Sequence, residues 1–168
     1  MGKSSPETLA SEQAQRKRAE ALCVQIERAF DGVPVPDASQ RTLFQAEAWD
    51  DYRVVDQSRD HKGRWQDLPV THLRGCSHAL PHLDAHGTRF YLPAIMCWAL
   101  RDPNARSEWL YESMMYLFGP PGHGLAEYRR ERLSLLNEPQ RAAIAAFVVF
   151  EEADEAVQAL WRKHLGHA

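Results

Sequence analysis

The chain has 168 residues, 44% of them hydrophobic, which is enough for one buried core and short for two, so a single compact domain over 1–168 is expected. A formal charge of −3 offers no bulk attraction to nucleic acid or to an anionic membrane surface, and neither is an expected partner. No window approaches the roughly 18 unbroken apolar residues of a membrane span, and no apolar signal-peptide core follows the polar start, so a cytoplasmic protein is expected.

Helix signals recur along almost the whole length. Ser5 before Pro6 and Glu7 reads as a cap with proline at the first helical position, and Leu22, Cys23, Ile26 and Phe30 line one face until Asp31-Gly32 closes the helix. Residues 1–13 are expected to fray. Val33-Pro34-Val35-Pro36 must be extended, because a residue before proline is pushed out of the helical region; Asp37 or Ser39 then caps a second helix carrying Leu43, Phe44 and Trp49. Val54-Val55 is too short a β-branched run to build a sheet, and the charged stretch 56–64 reads as a loop. Trp65, Leu68, Leu73, Cys76 and Leu80 suggest a short third helix.

Asp84 can cap the next element, in which Phe90, Tyr91, Ala94, Ile95, Cys97, Trp98 and Leu100 are too continuous for a surface helix. The expectation is a buried central helix bent at Pro93. Asp102-Pro103 is again a cap followed by proline, and Trp109, Leu110, Met114, Leu117 and Phe118 give an apolar stripe before the loop Gly119-Pro120-Pro121-Gly122-His123-Gly124. Residues 125–136 mix charge with leucine and yield no assignment. Asn137 with Gln140 has capping-box form, and Ile144, Phe147, Phe150, Val157, Leu160 and Trp161 follow along one long terminal helix whose last turn carries Arg162, Lys163 and His164. The fold class is therefore all-α, five or six helices in one domain, with 166–168 frayed. Cys23, Cys76 and Cys97 each have apolar neighbours and read as buried free thiols in a reducing compartment.

Two segments, Thr88-Arg89-Phe90-Tyr91-Leu92-Pro93-Ala94 and Leu135 to Phe147, together with Ile26 to Phe30 and Gly63-Arg64-Trp65-Gln66-Asp67-Leu68, resemble an uncharacterised bacterial family classed as a domain of unknown function. The resemblance covers about Ala19 to about Phe150. It departs at Asn137-Glu138-Pro139, where the family has Thr-Pro-Glu, and a first-turn proline is tolerated in either place. The resemblance implies a helical cytosolic domain, and it brings no catalytic residues with it.

Three sets of polar or aromatic residues are candidates for function. Glu47, Asp50 and Asp51 sit on the second helix and Glu151, Glu152, Asp154 and Glu155 crowd the last one; like charges held together suggest an acidic surface meeting a basic partner. Of the five tryptophans most are expected in the core, but Trp49 and Tyr52, flanked by acids, read as exposed aromatic anchors. His78, His82 and His86 stand four apart, with His72 and Asp84 nearby, and on a continuous helix would form a metal site; Pro81 and Asp84 break that helix and split them. No serine has a nucleophile-elbow context, and the Gly119–Gly124 loop loses two backbone donors to proline and lacks a following Lys-Ser or Lys-Thr. No cofactor is expected. These features point to a protein-binding domain; small helical proteins of this kind resemble the immunity partners of secreted bacterial toxins, and that resemblance implies a bacterial immunity protein that occludes the active site of a basic toxin domain. The alternatives are a metal-dependent enzyme or metal-binding protein using His72, His78, His82, Asp84 and His86, and a regulatory or scaffold domain.

Overall fold

The computed structural model describes residues 6–165, and among them the chain forms eight α-helices and no strand. These are α1 (Pro6–Ala29), α2 (Leu43–Asp50), α3 (Val70–Gly75), α4 (Ala85–Arg101), α5 (Trp109–Phe118), α6 (Ala126–Arg132), α7 (Glu138–Phe150) and α8 (Glu155–Trp161), joined by loops and short 3-10 turns. The apolar run read from the sequence is α4, which buries every residue from Phe90 to Leu100 because α1, α5, α6 and the 3-10 turn Trp65–Asp67 pack around it. Each large side chain so enclosed contributes roughly 1.5–3 kcal/mol. Asp84 starts α4 by accepting the Gly87 N–H at 2.7 Å. The helix continues through Pro93, which removes the ordinary intrahelical donor to the Arg89 carbonyl. Burial pushes the Tyr91 hydroxyl up to about 12, and the Leu43 amide is its backbone partner.

Helix ends are closed by side chains from far away in sequence. The Trp65 indole donates to the Phe30 carbonyl at 3.0 Å, just past α1, and the Trp161 indole donates to the Phe118 carbonyl at 2.9 Å, at the end of α5. Arg129 reaches the same end of α5 through the Leu117 carbonyl at 3.0 Å. These are the carbonyls an α-helix leaves without partners, and the indoles gain burial and a hydrogen bond together.

Several boundaries differ from the sequence reading, each for a local reason. Ser5 and residues 166–168 lie outside the described residues, and 6–13 form regular, exposed helix within α1. Thr42, in a reciprocal box with Gln45, caps α2, while Asp37 closes a turn by accepting from the Ser39 N–H at 2.8 Å. Pro69 holds Leu68 extended, so the third segment is divided into the Trp65–Asp67 turn, α3 and a separate Leu80–His82 turn. Asp102 caps a 3-10 helix at Pro103–Ser107, and α5 begins after it. The terminal helix is two helices, since Glu151 and Glu152 end α7 and Asp154 caps α8. With α6 these divisions make eight helices instead of five or six.

α2 and α7 end alike. After α2 the Arg53 N–H bonds the Ala48 carbonyl (2.8 Å) and the Tyr52 N–H bonds the Trp49 carbonyl (3.3 Å); after α7 the same pair of bonds runs from Ala153 to Val148 and from Glu152 to Val149, both 3.1 Å. This closure needs one left-handed residue, normally glycine, yet Tyr52 (φ 54°) and Glu152 (φ 51°) occupy it. Tyr52→Gly should therefore raise stability by about 1 kcal/mol in a urea melt, through relief of left-handed strain. A loss of stability would show that the Tyr52 ring holds the fold.

Candidate functional site

Residues that the sequence offers as rival sites meet in pairs. α2 lies along the Leu80–His82 turn, so its carboxylates face the histidines of the α3–α4 connection. Glu47 Oε2 accepts the His78 backbone N–H at 2.9 Å and its other oxygen lies 3.6 Å from the His78 ring; Asp50 Oδ1 is 3.0 Å from His82 Nε2. Asp84 is fully engaged, accepting from Gly87 N–H through one oxygen and from Arg41 N–H, at 3.0 Å, through the other. His86 is exposed in the first turn of α4, and His72 sits against the Phe44 ring, where burial lowers its pKa. Among the described residues no three His, Cys, Asp or Glu side chains come together as a metal would require, so the histidine set does not converge.

The acidic surface also changes character. Glu47 is buried and Asp51 is ion-paired with Arg53. Glu151 is the clearest correction: its side chain is 1% exposed and grips Arg106 at 2.6 and 2.7 Å, while the Tyr111 hydroxyl donates to it at 2.7 Å. The hydrogen bond to Glu151 raises the Arg106 pKa; burial, then the hydrogen bond to Glu151, raises that of Tyr111. Asp154 is spent on capping α8, accepting from Val157 N–H at 3.0 Å, which leaves Glu152 and Glu155 exposed. The four acids do not form one face, because the helix expected to carry them is broken in their midst.

Trp49 (58% exposed) and Tyr52 (97%) are on the surface, as the acid-flanked pattern suggests, and the Arg41 guanidinium lies 4.0 Å over the Trp49 ring. A larger aromatic feature lies on the other side of the Leu80–His82 turn. There a groove of about 480 Å³ runs between that turn, α5 and the start of α6, walled by Pro81, Trp109, Tyr116, Leu125 and Tyr128. Trp109 is 61% exposed and Tyr116 59%. α5 carries two stripes: Leu110, Met114, Leu117 and Phe118 enter the core, while Trp109, Glu112, Ser113 and Tyr116, at i, i+3, i+4 and i+7, line the groove. Among the described residues the Glu112 carboxylate has no ion-pair partner. The Tyr128 hydroxyl donates to the Pro81 carbonyl at 3.1 Å and the His78 and Trp109 rings are 6.1 Å apart, so groove and acid–histidine corner form one continuous face. The second stripe is legible in the sequence once the apolar residues of α5 are divided between two faces.

A family model described as a family of unknown function (DUF6714) matches residues 18–163, from within α1 to past α8. The chain belongs to that family. The match extends the resemblance, expected to reach about Phe150, through the whole helical core. No curated protein and no solved structure matches the chain. Among the described residues no helix is long and apolar enough to cross a membrane.

Proposed function

We propose that the protein works by binding another protein through the face that joins the aromatic groove to the end of α2. The observation that supports this is the groove itself. It combines two aromatic side chains left mostly exposed with a carboxylate, Glu112, that no described residue neutralises. Exposed aromatics of this kind dominate binding energy when a partner covers them, and an unpaired acid among them selects a basic residue. The occupant that fits is a segment with apolar anchors and a lysine or arginine, laid along α5 as a helix lies in a groove. In a bacterium, an immunity protein that covers the basic active-site cleft of a toxin is the specific form of this reading. Charge steers the encounter there, and aromatic anchors hold the complex.

The test is capture from the native host on wild-type protein and on two variants side by side. The protein retained by wild type should be lost on Trp109→Ala/Tyr116→Ala, with affinity lower by about 2 kcal/mol, roughly thirtyfold, and faster dissociation. Glu112→Gln should mainly slow association and flatten its salt dependence. A partner that binds the aromatic double variant as tightly as wild type would show that this face is not the interface.

A further inference from the structure

A cavity of about 270 Å³ opens beside α4, with walls from α1, the Trp65–Asp67 turn and α3. It shares no lining residue with the aromatic groove. Two tryptophans stand in its wall. Trp65 is buried and locked by its indole bond to the Phe30 carbonyl; Trp98, 5% exposed, lies one turn of α4 past Ala94, whose short side chain leaves the space open. Charge at the rim is already balanced, since Glu27 pairs with Arg101 at 3.1 Å and Asp102 with Arg74 at 2.9 Å. Two polar groups of the wall are not. The Trp98 indole N–H is buried, and among the described residues no acceptor completes a hydrogen bond to it. Asp102 is close, its carboxyl held low first by the Asn104 amide and in smaller part by this indole, but its oxygens are taken up by Asn104 at 3.0 Å and by Arg74. The half-buried Gln66 amide likewise makes no hydrogen bond among the described residues.

We infer that this cavity is a binding site for a small, neutral aromatic alcohol, whose rings pack against Trp65 and Trp98 and whose hydroxyl oxygen accepts from the Trp98 indole. Size, charge and the orphan donor each narrow the class. An apolar cavity of about 150 Å³ accepts benzene, so the larger space here suits a two-ring molecule. A carboxylate or an ammonium group would enter a rim whose charges are all paired, and it would lose its hydration without gaining a counter-charge. A bare hydrocarbon would leave the Trp98 N–H as it is. A buried donor without an acceptor is destabilising, so an occupant that brings an oxygen gains more than its apolar contacts alone. The Gln66 side chain is the free acceptor in the wall for the hydroxyl hydrogen.

Native, full-length protein, isotope-labelled for NMR, is titrated with naphthol, with naphthalene and with naphthoate. Naphthol should bind with a Kd on the order of tens of micromolar and shift the Trp98 indole N–H resonance. Naphthalene and naphthoate should each bind at least about tenfold more weakly. Trp98→Phe keeps an aromatic wall and removes the donor, and it should bring naphthol down to the affinity of naphthalene. Ala94→Leu fills the space and should abolish binding of both, while Trp109→Ala/Tyr116→Ala in the groove should leave naphthol binding unchanged. The inference is overturned if naphthol shows no saturable binding up to about 1 mM, if naphthalene binds as tightly as naphthol, or if the groove variant is the one that loses it. The comparison of the three probes on wild type needs no variant, so an Ala94→Leu protein that folds poorly leaves the test intact.

Discussion

Replacing Gly87 with alanine should destabilise the fold by about 3 kcal/mol, the upper part of the range for forcing a carbon into a filled site. A Cβ at Gly87 would run into the Arg41 carbonyl oxygen, which belongs to backbone and cannot swing aside, and would stand 3.0 Å from Leu83 Cδ2. Helix propensity alone predicts the opposite sign, a gain of about 1 kcal/mol for alanine inside a helix. The close approach wins because Arg41 is anchored three ways: its N–H bonds Asp84 at 3.0 Å, its guanidinium bonds the His82 carbonyl at 2.8 Å, and it covers Trp49. Urea denaturation should show a lower midpoint with an unchanged slope. Gly75, with nothing within 4 Å of its Cβ position, is the comparison, and Gly75→Ala should move the midpoint far less. Equal midpoints for the two variants would contradict the seating of Arg41 on α4.

Truncating Glu151 to alanine should cost about 3 kcal/mol, since it strands the Arg106 guanidinium without its carboxylate and the Tyr111 hydroxyl without its acceptor. The pair ties the end of α7 to the 3-10 helix before α5, 45 residues away. Removing both charges in Glu151→Leu/Arg106→Met should recover most of that loss, because no charge is then left buried and unpaired. The measurement is a double-mutant cycle in urea, in which a coupling energy of at least about 1 kcal/mol is expected. High salt should leave this pair largely intact while weakening the exposed Arg130–Glu127 pair. Additive single effects would show that the two side chains contribute independently.

What was legible in the sequence was local chemistry. The Asp84 cap, the Asn137–Gln140 box and the apolar run of α4 act within a few residues, so the chain states them openly. The side chains misjudged are those whose surroundings come from distant segments. Glu151 reads as a surface acid until Arg106 and Tyr111 arrive from 45 and 40 residues away. Glu47 and Asp50 read as half of an acidic face until the turn after α3 brings His78 and His82 against them. Trp109 counts as core on apolar character alone, yet it stands on the solvent side because Leu110 and Met114 already fill the inner face. The breaks at Pro69 and around Glu152 multiplied the helices because a periodic apolar pattern carries across a short turn almost as well as through a helix.

Tyr52 turns the end of α2 into a recorder of selection. Its backbone asks for glycine, and its ring is 97% exposed, so in the isolated protein the aromatic side chain is a cost of about 1 kcal/mol with little packing in return. A library of variants at this one codon, sorted for heat resistance, should drift to glycine and asparagine. The same library sorted for growth under whatever challenge the protein meets should keep tyrosine or another ring if the end of α2 touches the partner. The two pools would then diverge at a position no core argument protects, which turns backbone conformation into a genetic reporter of where the molecule is used.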